Sequence, residues 1–134
     1  MIDNGAALLP PDERSWRIEA YAADGGYEAA RRAITSMTPM CVVDEVCQAV
    51  LRGRGGAGFP AGIKWGFVPR GAAGPKYLCV NADEGEPGTF KDRLVLLRAP
   101  HQLLEGMLIT AYGVGIRTAY VYVRGEYARI ASRL

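Results

Sequence analysis

Residues 118–123 read Thr-Ala-Tyr-Val-Tyr-Val, and this run decides the fold class. β-Branched and aromatic residues favour an extended, pleated backbone. The run does not alternate with polar residues, which predicts a strand covered on both faces, as in a parallel sheet. Upstream, Leu103, Leu104, Met107, Leu108 and Ala111 recur at helical spacing. Pro100 suits that helix's first turn, and Gly113 with Gly115 predicts its end. Further upstream, Lys76 to Val80 reads as a short buried strand. Strand, helix and strand form one right-handed crossover unit, so the expected class is α/β with a parallel sheet flanked by helices. Two strands make a poor parallel sheet, because faces and edges both need covering. The expectation is therefore that this chain supplies the amino-terminal portion of a larger sheet.

Before this unit, residues 1–25 mix prolines, charges and the turn signal Asp24-Gly25-Gly26, and read as an extended arm carrying at most short structure. Residues 26–134 read as the α/β domain, itself incomplete. Tyr27 to Ser36 contains good helix formers, and Pro39 reads as a stop. Val43, Val46, Cys47, Val50 and Leu51 fall at helical spacing and predict a second helix. After the last strand, Arg124-Gly125-Glu126-Tyr127 leads toward another helix.

At 134 residues and 49% hydrophobic side chains, the chain has the size of one ordinary domain. The formal net charge is only +2, far from the dense basic face that neutralises phosphates on nucleic acid. No apolar stretch approaches the roughly 20 residues needed to cross a bilayer, and Met1 to Pro11 has no signal-peptide pattern; a cytoplasmic protein is expected. Cys41, Cys47 and Cys79 form no Cys-x-x-Cys pair, which argues against a disulfide framework or a metal site. Each reads as a buried structural thiol.

Two loops carry chemical content. Gly53-Arg54-Gly55-Gly56-Ala57-Gly58 satisfies G-x-G-x-x-G, a pattern that lets bare backbone N–H groups approach a phosphate closely. The dinucleotide form of this motif follows a strand and opens a helix, whereas here a helix precedes it and Pro60 with Gly62 prolongs the loop. A phosphate-binding P-loop fails as well, because Ile63 separates Lys64 from Gly62 and no Ser or Thr follows. What remains is a long glycine loop with Arg54 and Lys64, interleaved with Phe59, Trp65 and Phe67. Such a composition suits an anionic ligand with flat rings, by charge plus stacking; a surface turn followed by core aromatics is the alternative. The second loop, Asn81-Ala82-Asp83-Glu84-Gly85-Glu86-Pro87-Gly88, places three carboxylates within four positions at a strand's end. Strong acceptors suit hydroxyl-rich groups such as ribityl or ribose. A solvated acidic turn and a metal site are the rivals, though the acids lack the spacing of an EF-hand.

Taken together, GRGGAGFPAGIKW at 53–65, NADEGEPGTFKDR at 81–93 and VRGEY at 123–127 resemble the FMN-binding flavoprotein subunit of NADH dehydrogenase, respiratory complex I, and related diaphorase subunits. The resemblance runs from about Trp16 to the end, including Pro100-His101; the chain has Ala61 where the family loop usually carries threonine. It implies a Rossmann-like flavin-binding parallel sheet and NADH oxidation by hydride transfer from the nicotinamide C4 to the flavin N5, with electrons then passing singly to iron–sulfur clusters. On the same ground, Gly53, Arg54, Gly55, Gly56 and Lys64, with Asn81, Asp83 and Glu84, would bind FMN. Phe59 and Phe67 would stack on the adenine end of NADH, and Glu86 would lie on the nucleotide side of the flavin. No side chain would act as acid or base, and no residue would ligate metal: the 4Fe-4S cluster of the full-length family needs a cysteine motif that Cys41, Cys47 and Cys79 do not match. Implied partners are the other subunits of an NADH dehydrogenase or diaphorase complex, including a thioredoxin-like iron–sulfur subunit. Such a complex would be cytoplasmic and peripheral to the inner membrane. The diaphorase subunit of an NAD-dependent formate dehydrogenase or NAD-reducing hydrogenase carries the same loops. A non-catalytic nucleotide-binding or assembly module, or a nucleotide-sensing regulatory domain, remains as a different class.

Overall fold

A computed structural model describes residue 9, residues 14–132 and residue 134. Most of the expected arm, residues 1–8 and 10–13, lies outside the described residues. In its remainder Ile18–Ala23 forms a short helix, α1. The further elements are α2 (Glu28–Ser36), α3 (Pro39–Gln48), α4 (Ala61–Gly66), β1 (Tyr77–Ala82), α5 (Lys91–Arg98), α6 (Pro100–Val114), β2 (Thr118–Val123) and α7 (Ala128–Ala131), the last entered through a 3-10 turn at Gly125–Tyr127. β1 and β2 pair as a small parallel sheet, so the class is mixed helix and sheet. Two helices, α5 and α6, connect the strands instead of the one expected. The chain divides into two compact units. One comprises Met1–Glu28, Cys79–Gly106 and Tyr120–Leu134; the other comprises Ala29–Leu78 and Met107–Ala119.

In the second unit, α2 occupies the predicted Tyr27–Ser36 stretch and buries Ala30 and Ala33. Pro39 does not stop a helix there; it starts α3. Its fixed φ and missing N–H suit the first helical position, and the Thr38 hydroxyl accepts the Cys41 N–H as the cap. The helix therefore runs Pro39–Gln48, earlier than the periodicity alone suggests. The expected glycine loop also ends sooner, because Gly62 is buried inside α4. A Cβ there would lie 2.5 Å from the Cys47 Sγ and 2.6 Å from its backbone nitrogen, so only glycine lets α4 rest on α3. Gly113 plays a milder version of this role, its missing Cβ leaving 3.3 Å to Val42 Cγ1. α6 passes through Gly113 and closes at Gly115, whose φ of +76° lets its N–H and that of Ile116 return to the Ala111 carbonyl. Lys76 Nζ donates to the Val114 carbonyl at the same helix end, where positive charge is favourable.

In the first unit, Ala82 from β1, Leu96 from α5 and Ile130 from α7 form the core, joined by Leu97, Leu103, Val121, Val123 and Tyr127. The strands are not covered on both faces. β1 alternates, with Tyr77, Cys79 and Asn81 exposed and Ala82 buried; β2 exposes Tyr120 and Tyr122 while Val121 and Val123 turn inward. The composition of both strands suits full burial, but among the described residues helices cover only the side that bears Ala82 and the valines. The three cysteines are likewise exposed rather than buried. Cys79 falls on the side of β1 that helices leave uncovered among the described residues; on α3, Cys41 is exposed beside buried Val42, and Cys47 keeps exposure where α4 packs on it through Gly62.

Candidate functional site

The glycine loop is closed at its base. Arg52 and Pro60 pair as an antiparallel bridge. The Gly53 N–H donates to the Phe59 carbonyl at 2.9 Å, and the Ala61 N–H to the Leu51 carbonyl at 2.7 Å. Arg52 Nη1 spans the loop to the Gly58 carbonyl at 3.2 Å. Entry from α3 passes through Val50, which holds a left-handed φ of +51° unusual for a branched side chain. The glycines have different causes. Gly56 and Gly58 sit at φ +102° and +61°, where side chains are strained. Gly55 has no such φ, and a Cβ there would meet nothing within 4 Å. Neither conformation nor internal packing demands glycine at 55, so its backbone is open to solvent there. Arg54 and Lys64 are exposed beside it. Phe59 and Phe67 present their rings 6.1 Å apart at a 52° tilt, with Phe67 70% exposed. Open backbone, two cations and two exposed rings together suit an anionic ligand with flat rings. The loop also opens a helix, α4, although a helix rather than a strand still precedes it.

The acid loop is preorganised by its own polar groups. Asn81 Oδ1 accepts the Asp83 N–H at 2.9 Å, and the Asp83 carbonyl accepts the Gly85 N–H at 3.0 Å. The three carboxylates are not equivalent. Asp83 and Glu86 are exposed, whereas Glu84 is buried. Its two oxygens accept the N–H groups of Asp92 at 2.9 Å and Arg93 at 3.2 Å, the open donors of the first turn of α5, whose own flanking residue Phe90 offers no side-chain cap. Lys91 Nζ stands 3.8 Å away and the Tyr127 hydroxyl donates at 3.4 Å. Burial alone would raise the Glu84 carboxyl, but these donors and the lysine charge outweigh it and hold it below the ordinary glutamate value. Glu84 therefore already has a structural task.

Sequence reasoning did not single out Arg124, which donates from Nη1 to the Glu84 carbonyl, reaches both Glu126 oxygens at 3.1 and 3.3 Å, and stands 3.8 Å from Asp83 Oδ1. The Arg-x-Glu spacing of 124 and 126 was the available signal. A second polar cluster was also missed. Buried Glu105 accepts from the Tyr21 hydroxyl and the Tyr27 N–H, and the Tyr27 hydroxyl lies 2.8 Å from His101 Nδ1. Burial, then the hydrogen bond and charge of Glu105, pushes the Tyr21 phenol well above its ordinary value.

The glycine loop, Phe59, Lys64 and Phe67 belong to one unit, and Asn81, Asp83, Glu84 and Glu86 to the other. A cavity of about 310 Å³ in the second unit, lined by Met37, Val42, Val46, Leu51 and Ile109 together with Arg32 and Glu45, reaches the base of the glycine loop only at Leu51. The only charged groups in its lining, Arg32 and Glu45, are paired with each other at 3.0 Å, which leaves the cavity with mostly apolar walls; each loop is therefore a candidate ligand-binding element within its own unit. Among the described residues, no group of His, Cys, Asp or Glu could hold a metal ion, and no helix is long and apolar enough to cross a membrane.

A mixed α/β chain with a base-closed glycine loop and a preorganised acid loop defines the class of protein. Residues 46–134 match the model of the Nuo51 FMN-binding domain, and the chain belongs to that family. It is 57% identical over 117 residues to an NADH-quinone oxidoreductase subunit of Rhizobium meliloti, covering 87% of this chain and 28% of that protein. It is 44% identical over 127 residues to the corresponding NADH-quinone oxidoreductase subunit of Escherichia coli, covering 94% of this chain and 28% of that one. Among solved structures, an NAD+-reducing [NiFe]-hydrogenase in the H2-reduced state superposes with a TM-score of 0.73 at 42% identity, over 87% of this chain and 20% of that one. The chain thus spans little more than a quarter of the curated relatives it matches.

Proposed function

We propose that the chain forms the amino-terminal part of a Rossmann-like FMN domain that oxidises NADH within a larger dehydrogenase complex. The observation that carries this is that both loops, with all their candidate residues, fall inside the region matched to the FMN-binding family. FMN, when bound, supplies an acceptor for a hydride whose electrons can leave singly. In this reading residues 26–134 are the nucleotide-binding part and residues 1–25 an arm. Gly53, Arg54, Gly55 and Gly56 offer backbone and charge to the FMN phosphate, and Lys64 adds a point charge. Asn81 and Asp83 accept hydrogen bonds from ribityl hydroxyls, while Glu84 holds their loop. Phe59 and Phe67 stack on NADH, and Glu86 lies on its side of the flavin. The chain's contribution is alignment of two flat rings, with no side chain moving a proton.

The side of the sheet that helices leave uncovered among the described residues, where Tyr122 is 65% exposed, supports a working form in which further polypeptide lies over it. A thioredoxin-like iron–sulfur subunit would take the electrons, in a complex peripheral to the membrane. The superposition on the NAD+-reducing hydrogenase favours a second reading, a diaphorase module with the same loop chemistry.

The test is NADH-dependent ferricyanide reduction by the FMN-loaded complex that contains this chain. Activity lost on flavin removal and restored by added FMN is the expected result. Lys64→Met should weaken FMN retention about tenfold, the scale of one charge-assisted hydrogen bond. A complex that holds no flavin and shows no NADH-dependent reduction would refute the reading.

A further inference from the structure

We propose that Arg124 is a positioning residue for the acid loop, fixing the peptide between Glu84 and Gly85 so that Asn81 and Asp83 meet FMN in one geometry. The inference rests on the function proposed above. Three ties hold consecutive parts of the loop: the Asp83 N–H to Asn81 Oδ1, the Gly85 N–H to the Asp83 carbonyl, and the Glu84 carbonyl to Arg124 Nη1. The 84–85 peptide is thus held at both its N–H and its oxygen. The Arg124 fork is itself aimed, because Nε and Nη2 engage the two Glu126 oxygens at 3.3 and 3.1 Å and leave Nη1 directed at the loop. Its ring-side neighbour is Tyr127, 5.9 Å from the guanidinium carbon, whose hydroxyl reaches the Glu84 carboxylate. Main chain and side chain of Glu84 are therefore both anchored by the 124–127 segment. Arg124 also sets one positive charge beside Asp83, which offsets the repulsion among the loop's acids. A planar fork can serve a carboxylate and a carbonyl at once in a fixed relation, whereas an ammonium group cannot.

The experiment uses the assembled complex with Arg124→Lys, which keeps the charge and removes the fork, and Glu126→Gln, which loosens the fork's anchor. Amide hydrogen exchange at Asp83 and Gly85 is measured beside the FMN dissociation constant and NADH kinetics at saturating FMN. R124K should speed exchange at both amides and weaken FMN binding, each about tenfold, the loss expected of one hydrogen bond to a charged group. KM for NADH, carried mainly by Phe59 and Phe67, should move less than about twofold, since those rings lie outside the acid loop. E126Q should act in the same direction but more weakly, and the double variant should be no worse than R124K, as coupled residues require. Wild-type exchange and FMN affinity in R124K would overturn the proposal, as would a lower melting temperature with unchanged FMN affinity in the folded fraction. If R124K does not fold, unchanged exchange and affinity in E126Q overturn it equally. If the wild-type complex holds no FMN, the proposed function falls separately. Faster exchange at Asp83 and Gly85 then still retains the loop-fixing role, and unchanged exchange removes that too.

Discussion

Glu84 is set apart from the other acids of its loop by bracing the first turn of α5. Its neighbours Asp83 and Glu86 are acids on the same short loop, and nothing in the residue string separates the three. The difference comes from α5, whose first-turn N–H groups lack a local side-chain cap and are met by a residue eight positions upstream. Caps supplied from such a distance leave no spacing signal, which is why the acid loop was legible as chemistry but Glu84's task was not. Glu84→Gln should cost about 1–3 kcal/mol, because a buried side chain that serves two part-buried N–H donors would become a poorer acceptor. The same carboxyl makes stability depend on acid. Its folded-state value lies below the ordinary 4.5, so its contribution is complete above pH 4.5 and drains away as pH falls through the lowered value. Urea midpoints measured from pH 6 downward should show this slope in the wild type, and the slope should be diminished in E84Q.

Helices α2 and α6 and both strands were readable from periodicity and composition, because each satisfies its own local rule. α4 and α5 were not. α5 has the sequence KDRLVLLR, whose expected cap is missing, and α4 begins Ala61-Gly62, which reads as loop. Gly62 is glycine for a tertiary reason, the approach of α3 through Cys47. Gly62→Ala should therefore destabilise despite alanine's advantage of about 1 kcal/mol in a helix. Overpacking against a backbone nitrogen typically costs about 1–3 kcal/mol and here cannot be relieved by a rotamer change. Gly66→Ala in the same helix meets nothing within 4 Å and should be neutral or stabilising. Denaturant midpoints of the two variants moving in opposite directions would verify the argument, and equal shifts would refute it.

Taken along its whole length, the chain joins distant segments within each unit: Tyr21 to Glu105 and Glu84 to Arg124 in one, Met37 to Tyr112 in the other. The α/β class was legible because the strands and α6 obey simple patterns. The expectation of full burial failed for TAYVYV and for the cysteines because composition reports the environment a strand suits, and only one side of this sheet is covered among the described residues. Cys79 marks the other side. It therefore offers a ready footprint of assembly. A maleimide should modify Cys79 rapidly in the chain alone and slowly once the proposed polypeptide lies over the tyrosines, with Cys41 serving as an internal reference. Equal modification rates in both states would mean that the aromatic side of the sheet stays wet in the assembled state.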